Sequence, residues 1–372
     1  MRLRGTGKAL ASAQGLSSTP QAQTGVKVYG VADLAIVKYR TEGASKTALH
    51  TGGSGSRLGF LAGEDLGNGW RVGARFEAGI NLDTGTPSST SGNANRVFSR
   101  QAYVELENRE LGALRLGRQQ GPIYNFLPDY DPMLLPPMDS WGVLTTLGAP
   151  VPGRASGTGK SSGFLINPTT RTENTIGYIS PQMGGAQARL SYSLDEGQPT
   201  QADLIEASFD YSTGPLKMGV LYVRAGATPG AGAVAATEAV SEFALGLRYQ
   251  SGPVQPYFSY VRRDATDPTR ASGGGVLNGN TETVKLVGAV IPVSERGAVR
   301  MTYGQYDSGN ADSDATSYGV AYTYQMSRSL MLMVAATHLT QDAAGRVPVF
   351  QSPVPAPGKS VTGLATGLTW RF

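Results

Sequence analysis

The chain has no cysteine and only two histidines in 372 residues. Without thiols there is no disulfide framework, no thiolate metal site and no thiol nucleophile. His50 lies in a short Gly/Ser-rich stretch and His338 near the end of an apolar run, each without a recognisable nucleophile motif, so the arrangement a Ser-His hydrolase needs is not evident. Long apolar runs are missing too. No stretch of about 18 apolar residues occurs, which excludes a transmembrane helix. An excess of positive charge is also lacking: 32 basic residues stand against 28 acidic, a net +4, and Arg2, Arg4 and Lys8 supply three of those charges. That balance argues against a nucleic-acid footprint. The Gly-rich piece "SGGGVLNGN" is no phosphate loop, because no helix follows it. No cofactor or metal is implied.

What the chain does have is glycine, 50 residues of it, about twice average usage, and alternation. In "WRVGARFEAGINL" the even positions Trp70, Val72, Ala74, Phe76, Ala78, Ile80 and Leu82 are apolar, whereas Arg71, Gly73, Arg75, Glu77, Gly79 and Asn81 are polar or glycine. A period of two is a strand signature. Such runs recur at 26–40, 56–63, 69–82, 98–107, 112–119, 171–180, 184–195, 203–212, 215–225, 241–251, 253–263, 281–292, 296–306, 315–326, 328–340 and 360–372, and no segment holds a helical period for long. The connections alternate in length. "GEDLGN", "ENREL", "SPQMGG", "STGP", "SGP", "PVSERG" and "MSRS" are tight, whereas 41–55, 83–97, 226–240, 264–280, 307–314 and 341–359 are long, polar and Gly/Ser-rich.

A soluble two-sheet sandwich explains alternation but not short turns collected at one end. A sixteen-stranded antiparallel transmembrane β-barrel explains both: short periplasmic turns, long external loops, an even strand count and no open edge in lipid. The apolar faces then meet lipid or a neighbouring subunit, and the polar faces meet water inside. Tyrosines at strand ends suit an interfacial girdle.

Several blocks resemble the trimeric general porins of Gram-negative outer membranes, especially the betaproteobacterial branch. They are "VKVYGVADLAIVKY", "SRLGFLAGEDLGNGWRVGARFEAGINLDTG", "FSRQAYVELENRELGALRLGRQQGPIYNFL", "RTENTIGYISPQMGGAQARLSY" and the closing "GLATGLTWRF". The resemblance runs from Gly25 to Phe372. It implies a homotrimer in outer-membrane lipid and lipopolysaccharide, passing small hydrophilic solutes and ions by passive diffusion. It also implies that Leu368, Trp370 and Phe372, on one face of the last strand, form the signal read by the outer-membrane barrel assembly machinery. Residues 1–24, with a basic start, an Ala-x-Ala-like end and no apolar middle, read as a signal-peptide remnant or a disordered tail, the mature chain beginning near Gln23.

The segment 120–170 is the longest without regular alternation, and such a stretch is usually functional or disordered. In the family the third external loop folds inward and narrows the pore. Here "PIYNFLPDYDPMLLPPMDSWG" carries Asp129, Asp131 and Asp139, and "APVPGRASGTGKSSG" carries Arg154 and Lys160 and is expected to stay outside or at the mouth. The family sets arginines opposite that loop from its second, fourth and sixth strands; Arg57, Arg100 and Arg171 stand at the matching positions. Strand parity turns Arg57 and Arg171 inward. Arg100 shares the parity of Ala102, Val104 and Leu106, so either a bulge re-aims it or Gln101 and Tyr103 line the wall instead. Asp131 matches a loop carboxylate of the family; where some members have a second, this chain reads "MLLPP". Fewer loop acids beside retained arginines favour weak anion selectivity. Arg71, Arg75, Glu77 and Arg118 are further lumen candidates, and Lys217, Arg248, Lys285 and Arg300 are expected as polar lining. The alternative function is a channel specific for a sugar, phosphate or organic acid.

Overall fold

The computed structural model describes residues 25–51, 54–88, 96–133, 171–197, 203–226, 239–265, 281–309, 311–347, 349, 352–353 and 355–372. The tail 1–24 and the greater part of 120–170, with Asp139, Arg154 and Lys160, lie outside the described residues. No helix among the described residues is long and apolar enough to cross a membrane; strands do the crossing.

The strand segments are β1 (Gly25–Thr41), β2 (Ala44–Thr51), β3 (Arg57–Gly67), β4 (Trp70–Asn81), β5 (Thr86–Pro87), β6 (Gln101–Asn108) and β7 (Gly112–Gln120). A short helix, α1 (Pro122–Asp129), follows. Then come β8 (Arg171–Thr172), β9 (Thr175–Ile179), β10 (Ala186–Ser193), β11 (Leu204–Thr213), β12 (Leu216–Ala225) and β13 (Val240–Tyr249). The rest are β14 (Gln255–Ala265), β15 (Glu282–Pro292), β16 (Gly297–Asp307), β17 (Ala315–Gln325), β18 (Leu330–Gln341) and β19 (Val361–Arg371). Neighbours pair antiparallel, and the first closes on the last, with Val31 opposite Arg371 and Thr41 opposite Val361. This is a closed sixteen-stranded barrel. Closure leaves every backbone ladder satisfied without an edge, the condition for spanning lipid.

Nineteen segments make sixteen staves because three staves are interrupted. β2 and β3 both pair with β1, the first beside Leu34–Thr41 and the second beside Gly25–Val31. β5 and β6 both pair with β4. β8 and β9 both pair with β7. From β10 to β19 each stave is one unbroken ladder.

The faces fall as alternation predicts along most strands. Phe76 and Leu82 of the "WRVGARFEAGINL" run are exposed outward while Glu77 is buried inside. Leu190 and Tyr192 face out, Ser191 and Ser193 in. Tyr178, Tyr222, Tyr249, Tyr318 and Tyr322 are exposed on the outer surface, but Tyr29, Tyr39, Tyr103, Tyr257 and Tyr306 are buried within, so the tyrosines are not all girdle residues.

The structure departs from the sequence reading in four places. The expected loop 41–55 contains β2, which prolongs the β1 hairpin. A helix stands where irregular chain was expected. Lys285 is not lumen lining: Val284 and Leu286 are buried inside and Lys285, opposite Tyr260, faces out with exposed Val287. The inner wall is also less polar than expected. Val37, Val223, Val261, Leu286, Leu339 and Val361 all point inward and are buried. Ile123, Phe126 and Met133 cover part of this apolar wall, and Val347 and Val349, between β18 and β19, cover another part. Covering apolar inward positions with folded-in chain removes them from the aqueous lumen.

Candidate functional site

The site begins with the segment after β7. Gly121-Pro122 ends the ladder, and Pro122 occupies the first helical position, where a missing N–H costs nothing. Ile123 N donates to Glu206 Oε2 of β11 at 3.1 Å, which satisfies one of the orphan donors of the first turn. Ile123, Phe126 and Tyr130 lie at i, i+3 and i+7 and are all buried against the wall. The Phe126 and Tyr130 rings pack tilted at 50°, their centroids 4.7 Å apart. Beneath Tyr130, Gly219 of β12 and Gly246 of β13 stand opposite one another in register. A Cβ on Gly246 would lie 2.2 Å from the Tyr130 ring, and one on Gly219 would lie 2.4 Å from its hydroxyl. The two glycines make a flat bed for the ring.

Polar contacts fix the rest of the segment across successive strands. Tyr130 OH donates to Asp210 Oδ1 at 3.0 Å. Ser259 Oγ donates to the Tyr130 carbonyl at 2.9 Å, and Arg300 Nη1 donates to the Pro132 carbonyl at 2.6 Å. Burial and the neighbouring Asp210 push the Tyr130 phenol far up, so it stays neutral and donates. Lys217 Nζ reaches Asp129 Oδ2 at 2.5 Å and Arg248 Nη1 reaches its Oδ1 at 3.3 Å. Asp131 is buried and its Oδ1 accepts from Met133 N at 2.9 Å. Asp129 therefore faces the wall on which the loop lies, and Asp131, bonded within the loop, lies in the field of Arg300 and Tyr257 of that wall. Lys217, Arg248 and Arg300, expected as plain lining, hold the loop in place.

The arginines stand at the interrupted staves. Arg57 opens β3, Arg100 immediately precedes β6 and Arg171 opens β8. Glu77 of β4 is the common partner of Arg57 and Arg100. Arg100 Nε donates to Glu77 Oε1 at 2.6 Å, and Arg57 Nε lies 3.5 Å from Oε2. Tyr29 OH donates to Oε2 at 2.7 Å and Gln101 Nε2 to Oε1 at 3.3 Å. Arg57 is further tied by its Nη1 to the carbonyls of Ser54 and Gly55 at 2.5 and 2.9 Å. Arg171 reaches the group through Tyr124 of α1, its Cζ 5.1 Å from the ring centroid, a cation–π contact. Arg100 Nη2 donates to Tyr124 OH at 3.2 Å. Burial alone would raise the Tyr124 phenol; Arg100, Arg171 and Arg57 outweigh it and hold the phenol at about 8, against the opposing pull of Glu77.

Arg100 is thus inside although its parity points outward. It lies before the ladder begins, so the alternation of β6 does not bind it, while its N–H still donates to the Glu77 carbonyl at 3.0 Å. Gln101 and Tyr103 are buried inside as well. Arg75 stacks over Tyr29 at 5.3 Å, beside the cluster. Arg71 is partly exposed and 4.0 Å from Glu107, nearer the short turns. Arg118 stands apart: it pairs in register with outward-facing Ala102 and is buried with its Nε donating to the Ser99 carbonyl at 2.8 Å. Tyr124 is the residue sequence reasoning missed. Its position two residues beyond Gly-Pro at the start of the loop was legible; its contact with arginines from three staves was not.

Among the described residues, three guanidinium groups and one carboxylate thus meet a loop folded inside a closed, lipid-spanning barrel. The model of the Gram-negative porin family matches residues 9–344. The chain belongs to that family. It is 28% identical to outer membrane porin protein 32 of Delftia acidovorans over 96% of each chain. An anion-selective porin from Comamonas acidovorans superposes with a TM-score of 0.74 at 24% identity, covering 94% of this chain and 100% of that one. The trimer form of OmpT from Vibrio cholerae superposes with a TM-score of 0.62 at 14% identity, covering 95% and 100%. This porin is a multi-pass outer-membrane channel, not an enzyme, and its polar interior is the functional surface.

Proposed function

We propose that this porin admits small hydrophilic solutes and ions by passive diffusion with a weak preference for anions, set by Arg57, Arg100 and Arg171. One observation carries the reading: Arg57 and Arg100 share a single carboxylate, Glu77, with Arg171 held beside them through Tyr124, whereas Asp129 of the facing loop is paired with Lys217 and Arg248 of the wall. Among the described residues guanidiniums therefore outnumber carboxylates where the loop approaches, and charge acts at short range in a narrow passage. Arg71, Arg75 and Glu77 extend the same polar lining. The anion-selective relative from Comamonas agrees with this sign.

The assembly we propose is a homotrimer, in line with the trimeric relative. It sits among outer-membrane lipid and lipopolysaccharide, delivered by the barrel assembly machinery through Leu368, Trp370 and Phe372. Those three side chains are exposed on one outer face, and the Phe372 backbone exchanges two hydrogen bonds with Gly30 at 2.8 and 3.1 Å.

Reconstitution in a planar bilayer under a salt gradient tests the channel reading. Stepwise triplet conductance with a reversal potential toward the anion is expected; silent bilayers from folded protein would overturn it. Low conductance blocked by one solute class would favour the specific channel instead. Replacing Arg57 and Arg171 together with alanine should lower the anion/cation permeability ratio about tenfold, the effect of two unit charges a few ångströms from the ion in a wet pore. An unchanged ratio removes them from the constriction.

A further inference from the structure

The loop presents to the arginines a phenol rather than a carboxylate. Tyr124 is half-buried on the free side of α1, away from the face that carries Ile123 and Phe126. The groups that face its hydroxyl and ring are Arg57 of β3, Glu77 of β4, Arg100 before β6 and Arg171 of β8. Charged groups on the strands packed against the rest of the helix are engaged elsewhere. Arg115 of β7 pairs with Glu105, and Arg189 of β10 pairs with Asp210 of β11. Glu206 takes the Ile123 N–H, and Lys217 and Arg248 hold Asp129. Counting these described groups alone, three guanidiniums and Glu77 carry a formal charge of +2 (three minus one) while the phenol is neutral.

We propose that Tyr124 is a specificity-determining residue whose phenol, by releasing its proton to water, takes one unit from the positive charge of the arginine cluster and lowers the channel's preference for anions. The inference rests on the reading that this cluster sets selectivity. The geometry suits the anionic form. At 3.2 Å the Arg100–Tyr124 bond is longer than a charge-assisted one, so a phenolate has room to draw the guanidinium in. Arg171 is already in place over the ring. The phenol is held near 8. Below that value the phenol is protonated and the cluster keeps its full excess charge; above it the phenolate cancels one guanidinium. Anion preference should therefore be greatest at low pH and decline as pH rises.

The test is the reversal potential of the intact porin in a salt gradient from about pH 6 to about pH 9, where ordinary tyrosines, with a pKa of about 10, remain mostly protonated. Wild type should lose about threefold in anion/cation permeability ratio across that window, the effect of one unit charge at several ångströms in water. Tyr124→Phe should show no such decline. A flat wild-type profile, or an equal decline in Tyr124→Phe, overturns the proposal. Should Tyr124→Phe fail to fold, ultraviolet absorption of the folded wild-type protein decides. One phenol ionising well before the others, lost in the ring-retaining Tyr124→Trp variant, supports the proposal; no early phenol overturns it. The Arg57/Arg171 double alanine variant separates the two readings. If it shifts selectivity while pH does not, Tyr124 alone is wrong; if it shifts nothing, the arginine reading fails and the Tyr124 proposal fails with it.

Discussion

The two sides of this barrel wall are built differently. From β1 to β9 every second stave is broken, at 54–56, before β6 and at Glu173-Asn174. From β10 to β19 the ladders run without interruption. The broken side carries Arg57, Arg100 and Arg171; the continuous side carries the bed on which α1 and Tyr130–Met133 lie. The difference is physical. In a continuous ladder each side chain is committed to one face by the pleat. At a break that commitment lapses, and a long side chain can be aimed at a partner off its own strand. Asn174, with a positive φ of 54°, is one such reset point. The continuous side offers instead a regular surface, on which two facing glycines can seat an aromatic ring.

The comparison breaks most visibly at Glu77, which gathers the broken side. Glu77→Gln removes a buried carboxylate shared by two arginines and should cost about 3–5 kcal/mol, the usual loss when one member of a buried ion pair is deleted. Thermal unfolding in detergent reads it, and an unchanged transition would mean that the arginines are held by their other partners. On the continuous side, Gly246→Val places a side chain inside the Tyr130 ring. Overpacking of this kind costs about 1–3 kcal/mol, and the barrel should persist while the loop loses its seat. Single-channel records should then show flickering closures absent from wild type; steady conductance would show that the ring is not what fixes the loop. The smallest effect is a control. Lys285→Ala should leave conductance and reversal potential unchanged, because the side chain faces outward; a shift in selectivity would place it in the lumen after all.

Much of the architecture was legible beforehand. The run 281–292 is β15 within one residue, and the tight connection "PVSERG" is a turn, with Val293 N donating to the Gly297 carbonyl at 3.0 Å. The orientation of Arg57 could be read from Leu58 and Phe60 because β3 starts at Arg57 and alternation already applies. Arg100 could not, since it stands one residue before its ladder. Nor could α1, which is eight residues long with a proline inside and is stabilised by the wall beneath it rather than by its own period. Inward valines such as Val37 and Val261 blur the alternation for the same reason: they face folded-in chain, not water.

The sequence by itself determined the period, the number of staves, the alternation of short and long connections and therefore a closed barrel in lipid, because those follow from local preferences repeated along the chain. Only the tertiary structure decided that arginines from three staves, a carboxylate from a fourth and a loop tyrosine share one place. Their meeting depends on ladder register, on where ladders break and on how a loop is seated across the lumen, and none of these leaves a mark on the residues immediately beside them.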